Sequence, residues 1–223
     1  MGHHGWQFFF ALLSLTRLSL YLGLLDRPLV AGFLISILTG DIFPAMYIAV
    51  FFELLWLDRI PTGTFIPPNS LFCTVSTILM VQTFGLSHTS QIFPIMVITI
   101  PVAYFCSWLE SAHRITQNRN YNIILQQSRK TAARYKPGIM IGKALLQMFC
   151  LYLLVGITGM YVMFLIIDRG IALLPMDEAL AWPHLILLAA ISALAALRVK
   201  KAYISLVIVI TGVTTWFFWQ TMV

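Results

Sequence analysis

Charge is what this chain has least of. Asp, Glu, Lys and Arg make up 10% of its 223 residues, against roughly a quarter in an ordinary soluble domain. The apolar fraction is 60% and the mean hydropathy +0.88. So few charges cannot cover the surface of a water-soluble fold of this size, which leaves lipid as the solvent. Acids are scarcer than bases, 8 against 14. The basic excess is clustered and no aromatic platform accompanies it, so it reads as membrane orientation and not as nucleic-acid binding. Cysteine is nearly absent too. Cys73, Cys106 and Cys150 each stand alone in an apolar run. Without a CxxC spacing they suggest neither a zinc site nor a redox pair, and buried free thiols are expected. No HExxH, Gly-x-Ser-x-Gly or paired-acid motif occurs. His88, His113 and His184 fall near segment ends with no partner at metal-ligand or triad spacing. No catalytic residue, metal or cofactor is therefore expected in the chain. The N-terminus lacks the basic n-region of a cleavable signal, so its apolar segment reads as a retained span.

What is present is a series of apolar runs with awkward interruptions. The first covers about Trp6–Leu25, with Arg17 inside it, and ends at Asp26-Arg27-Pro28. A proline suits a helix start better than its middle. The next run, Leu29 to Leu57, is too long for one straight crossing of a ~30 Å core at ~1.5 Å per residue. It contains Gly40-Asp41 and Pro44, so it reads as two helical pieces broken there. The stretch Asp58–Asn69 follows, with Pro61, Gly63, Pro67 and Pro68, and cannot be a regular helix. Irregular backbone at membrane depth is tolerated only where protein or a water-filled cavity surrounds it. A re-entrant loop or broken helix is the reading, with a plain extramembrane loop as the alternative.

Further apolar runs cover about Leu71–Leu86, Ile92–Leu109, Ile139–Ile167, Trp182–Leu197 and Ala202–Val223. Between Glu110 and Lys136 the composition changes. Arg114, Arg119, Arg129, Lys130, Arg134 and Lys136 stand against one acid, Glu110, as in a short amphipathic excursion at a membrane face. By the positive-inside rule that region and Arg198–Lys201 are cytoplasmic, and the Asp168–Ala181 link lies outside. The fold expected is all-α: a polytopic integral membrane protein with about six to eight membrane segments, including broken or re-entrant helices. It divides into an N-terminal membrane half at 1–109, a basic cytoplasmic segment at 110–137 and a C-terminal membrane half at 138–223.

An ionisable group at the bilayer centre costs roughly 2.5–3.5 kcal/mol on insertion scales and is a functional candidate by default. Glu53, among Phe51, Phe52, Leu54, Leu55 and Trp56, is the foremost. It reads either as an acceptor facing a solute or as a structural carboxylate paired with Arg59 or Arg17. Asp41, after Gly40, is expected to cap the second helical piece through its side chain. Lys143 can snorkel to the cytoplasmic interface. Asn69 and Thr62–Thr64 suit sugar hydroxyls, because amides and hydroxyls both donate and accept, and they suit backbone capping equally. Trp56 and Phe65 can stack on a sugar face or simply sit at a membrane interface.

Several of these residues also form a pattern. Arg27-Pro28-Leu29-Val30-Ala31-Gly32, then Thr39-Gly40-Asp41, Phe52-Glu53, Gly63 and Pro68-Asn69, followed by Val75-Ser76-Thr77-Ile78-Leu79-Met80-Val81, resemble the membrane subunit IIC of the mannose/fructose/sorbose family of bacterial sugar phosphotransferase systems. The likeness is clear over about residues 20–85; beyond them only the pattern of spans agrees. Three positions depart from the family: Asp26 stands for its His, Pro61 for an Asn and Asn69 for an Asp. Asp58, Arg59 and Phe65 replace small residues.

The resemblance implies a sugar-translocating subunit of a phosphoenolpyruvate-dependent system in the bacterial cytoplasmic (inner) membrane. It implies a IID membrane subunit and cytoplasmic IIA and IIB phosphocarriers as partners, with a trimer of IIC–IID pairs. The phosphoryl group would travel on histidines of the soluble partners, so this chain would need no phosphorylated residue. Sugar binding is expected at Glu53, Gly63, Pro68 and Asn69, with Arg27, Pro28, Gly40 and Asp41 as structural breaks or caps. The basic 110–136 segment would contact a cytoplasmic partner or anionic lipid. The departures leave a second reading open, a degenerate IIC-like protein with an assembly or sensory role.

Overall fold

The computed structural model describes residues 27–59, 65–130, 137–170, 180–196, 203–205, 207–212 and 215. Every regular element among these is helical. We number them α1 (Pro28–Thr39), α2 (Ile42–Leu55), α3 (Ser70–Thr83), α4 (Thr89–Lys130), α5 (Pro137–Gly170) and α6 (Trp182–Ala196). Two stretches have the length and hydropathy of full membrane spans, Thr89–Arg119 with 31 residues and Gly142–Gly170 with 29. At ~1.5 Å per residue they run about 46 and 43 Å. Shorter apolar helices accompany them, α1, α2, α3, α6 and one over Tyr203–Gly212. At about 18–23 Å, α1, α2, α3 and α6 fall short of a ~30 Å core.

The break within Leu29–Leu57 lies where glycine permits it. Gly40 adopts φ +83°, and its N–H donates to the Ser36 carbonyl at 2.9 Å, closing α1. The chain then reverses into α2. Gly32 lets the two helices touch: a Cβ placed on it would collide with the Ala49 Cβ and stand 3.2 Å from the Ala45 carbonyl oxygen. The α1–α2 hairpin is thus built on a glycine turn and a glycine–alanine contact.

Helix α3 forms the centre. Every residue from Leu71 to Val81 is buried, so that stretch has no lipid-facing side. Two of its hydroxyls are satisfied locally. Thr74 Oγ1 donates to the Ser70 carbonyl at 3.0 Å and Ser76 Oγ to that of Phe72 at 2.6 Å. Helix α3 runs antiparallel to α4. Asn69 N donates to the Ala103 carbonyl at 3.3 Å, and Cys73 Sγ to the Thr99 carbonyl at 3.3 Å. Helix α5 is also antiparallel to α4, with Gln117 reaching the Ala144 carbonyl at 3.4 Å. Helix α6 is parallel to α2. Tyr47 stacks on Trp182 at 5.0 Å, and Ser192 Oγ donates to the Leu55 carbonyl at 3.4 Å.

The basic stretch after Leu109 begins no new helix, and one expectation about the cysteines is corrected. Helix α4 continues without a break through the division drawn at residue 110 to Lys130. Neither proline nor glycine interrupts it after Pro101, and Glu110–Arg114 and His113–Gln117 contacts at i,i+4 support the continuation. Cys73 and Cys106 are buried as expected, but Cys150 is exposed. It lies on the outward side of α5, away from the buried row Met148, Tyr152, Val155.

Candidate functional site

Depth is set by the hydrogen bonds between helices. Leu180 N donates to Ser90 Oγ at 3.3 Å, which aligns the starts of α6 and α4. From Leu180 to Ser192, which bonds Leu55, is about 18 Å along α6; from Ser90 to Ala103, which bonds Asn69, is about 20 Å along α4. By this reckoning the end of α2 and the start of α3 lie at a similar level along the helices, near the middle of the Thr89–Arg119 stretch.

Glu53 lies there. Its Oε1 accepts from Arg27 Nη1 at 3.0 Å, and its Oε2 from the Leu29 backbone N–H at 3.5 Å. The side chains are unequally covered, Arg27 48% and Glu53 12% exposed. Arg27 occupies the N-cap position of α1, with Pro28 at N1, where the missing proline N–H is no loss. Of the two partners weighed from sequence, Arg59 instead lies 3.7 Å from Asp58, and Arg17 is outside the described residues. The carboxylate thus ties the end of α2 to the start of α1 and supplies an acceptor near a helix N-terminus, where negative charge is favoured.

Pro67, Pro68 and Asn69 are buried in non-helical backbone, covered by protein as the re-entrant reading requires. Asn69 caps α3: its Oδ1 accepts from Phe72 N at 3.1 Å. Pro61 and the candidate Gly63, with Thr62 and Thr64, lie outside the described residues. Trp56 stacks on Phe52 at 5.6 Å between ring centres, while Phe65 is exposed. Asp41 holds the N-cap position of α2, but its side chain makes no capping hydrogen bond, which corrects that expectation. The turn is closed by the Gly40 backbone instead. Glu53 and Asn69 are thus brought to one depth; Gly40 and Asp41 sit at the far end of the hairpin.

Sequence reasoning missed a second carboxylate. Glu110 is fully buried. It accepts from Arg114 Nη2 and from the Tyr152 hydroxyl at 2.6 Å, joining α4 to α5. Beside it, Gln117 Nε2 lies 2.8 Å from His113 Nε2. The Glu110–Arg114 spacing of one helical turn was the available signal, hidden by grouping Glu110 with the basic stretch. His184 has a local role, its Nδ1 accepting from Ala181 N at 3.1 Å at the start of α6. Lys143 is exposed near the start of the apolar part of α5.

A family model described as the sorbose-specific IIC component of the phosphotransferase system matches residues 7–197. The chain belongs to that family. It is accordingly an all-helical membrane component of a sugar-transporting phosphotransferase system. No curated protein and no solved structure matches the chain.

Proposed function

We propose that this IIC-family chain is itself the sugar-translocating subunit of a phosphoenolpyruvate-dependent system of mannose/fructose/sorbose type. The observation that carries the reading is the depth of Asn69. A buried, non-helical segment leads into a half-length helix whose capped N-terminus lies against Ala103, midway along a full-length span. Helix starts and irregular backbone at that depth are how many membrane transporters present polar groups to a solute. Glu53 reaches the same depth with acceptor oxygens partly uncovered. Glu53, Gly63, Pro68 and Asn69 form the proposed sugar site, with Arg27 and Pro28 holding Glu53 and Gly40 and Asp41 turning the hairpin. The protein works as a multi-pass component of the bacterial cytoplasmic membrane with a IID subunit, in a trimer of IIC–IID pairs. The Arg119 end of α4 faces the cytoplasm, where the basic residues meet the IIA and IIB phosphocarriers. In this organisation 1–109 carries the site, 110–137 the basic segment and 138–223 the rest of the membrane body.

The test is uptake and phosphorylation of labelled mannose, fructose or sorbose in cells expressing the chain with IID, IIA and IIB proteins. Glu53→Gln is expected to lower uptake at least tenfold, the factor of about 1.4 kcal/mol in transition-state stabilisation. Unchanged uptake would remove Glu53 from the site. A second reading, an assembly or sensory subunit without transport, is favoured by how Glu53 and Asn69 are engaged: one is ion-paired, the other caps a helix. It stands if the wild-type complex assembles and takes up none of the three sugars.

A further inference from the structure

The hydroxyl of Thr77 is buried and has no hydrogen-bond partner. Thr74 and Ser76, its neighbours on α3, both return their hydroxyls to the preceding turn. An unsatisfied buried hydroxyl is costly, whereas a valine of the same shape would not be. Thr77 also continues a row. Asn69, Cys73 and Thr77 lie four residues apart, hence one above the other on one face of the helix. The first two already donate to α4, Asn69 N to the Ala103 carbonyl and Cys73 Sγ to that of Thr99. Those acceptors are likewise one turn apart.

We propose that α3 has a second register on α4, displaced by one helical turn, about 5.4 Å, toward the Arg119 end. In it Cys73 meets the Ala103 carbonyl and Thr77 meets that of Thr99. Each register makes two hydrogen bonds between the helices: Asn69 and Cys73 in the one observed, Cys73 and Thr77 in the other. The number of hydrogen bonds between the helices is therefore the same in both positions, as suits an element with two discrete arrangements. Along the row itself the side chains are small, cysteine and threonine facing threonine and alanine, while Phe72 beside Gly159 and Val102 must repack as α3 moves. The Phe84–His88 link between the helices has five residues, and extended chain reaches about 3.3 Å per residue, enough to follow one turn. The orphan hydroxyl of Thr77 is the donor held ready for the second register. The shift carries the Asn69 terminus of α3 one turn across the middle of the membrane.

Cys73 serves as the reporter in the full-length chain, in native membranes, after C106A and C150A. T99C reports the observed register and A103C the shifted one. Under a membrane-permeable copper–phenanthroline oxidant, both variants are expected to form a disulfide with Cys73, T99C faster. T77V is expected to slow the A103C cross-link about fivefold, the effect of about 1 kcal/mol on an equilibrium constant, and to leave the T99C cross-link unchanged. The pair T77C and T99C, with C73A, checks the shifted register without altering Ala103. The proposal fails if T99C cross-links while neither shifted pair does, or if T77V leaves the A103C rate unaltered. No sugar or partner subunit enters the experiment, so its failure leaves the transport reading intact, and failure of transport leaves this one intact.

Discussion

Glu53 ends a half-length helix and Glu110 lies inside a full-length one, and their surroundings differ to match. Glu53 is 12% exposed and shares its charge with an Arg27 that is 48% exposed and 26 residues away along the chain. Glu110 is wholly buried, with Arg114, itself 42% exposed, one turn along the same helix and Tyr152 across on α5. Around Glu53, short helices end and irregular backbone begins. Around Glu110, two long helices run past each other without interruption. The contrast assigns different work to the same residue type. A carboxylate partly open to its surroundings can exchange partners with a solute at small cost. A fully buried one cannot be left unpaired and so fixes the helices that pair it.

The largest effect should follow from breaking the buried trio. Glu110→Leu leaves Arg114, whose Nε already lacks a partner, facing Tyr152 with no anion. Losing a hydrogen bond to a charged group costs about 1.5–3 kcal/mol, and Glu110 accepts two of them, from Tyr152 and from an Arg114 that is 42% exposed. The expected outcome is a marked fall in the melting temperature of the detergent-purified protein. Adding Arg114→Met should recover most of it, because replacing both charges removes the uncompensated one. Equal melting temperatures for wild type and Glu110→Leu would erase the contrast with Glu53.

Which parts of this arrangement were legible in the sequence follows from what hydropathy registers. The break at Gly40–Asp41 was readable, because a glycine that can take positive φ and a nearby proline interrupt an over-long apolar run. The buried irregular segment at Pro67–Asn69 was readable from its prolines amid apolar flanks. Helix α3 was not. Leu71–Leu86 looks like a crossing, since apolar residues can be counted but the level at which a helix starts cannot. That level comes from the Asn69–Ala103 contact, a tertiary fact. Glu110 was misplaced for a similar reason. Composition changes there while helix propensity does not, so the backbone continues where a boundary was expected. The partner of Glu53 was hidden by the hairpin: Arg27 is distant in sequence and comes near only when α1 folds back on α2.

A smaller effect is expected at the start of α3. Asn69→Ala removes the acceptor for Phe72 N and should destabilise by about 1 kcal/mol, the usual loss for an N-cap. Asn69→Asp keeps an equally good cap and adds a charge. The aspartate variant should therefore melt close to wild type while the alanine variant melts lower. If the position also contacts sugar, the two variants separate again in uptake kinetics, with Asn69→Asp altering KM at unchanged stability. Should both variants melt alike, the cap would not be what holds this helix start.

The smallest effect belongs to the half-open pair itself. A double-mutant cycle on Arg27→Met and Glu53→Gln, read by melting in detergent, should give a coupling of about 0–1 kcal/mol, the range for pairs open to their surroundings. The same cycle on Arg114→Met and Glu110→Gln should give more, since Glu110 is wholly buried and less screened than Glu53, while the 42% exposed Arg114 keeps part of the screening. Raising the salt concentration should shrink the Arg27–Glu53 coupling more than the Glu110–Arg114 coupling. A strong, salt-insensitive Arg27–Glu53 coupling would mean that the pair is as locked as the buried one. Glu53 would then be a structural tie between α1 and α2, with no oxygen to spare for a solute.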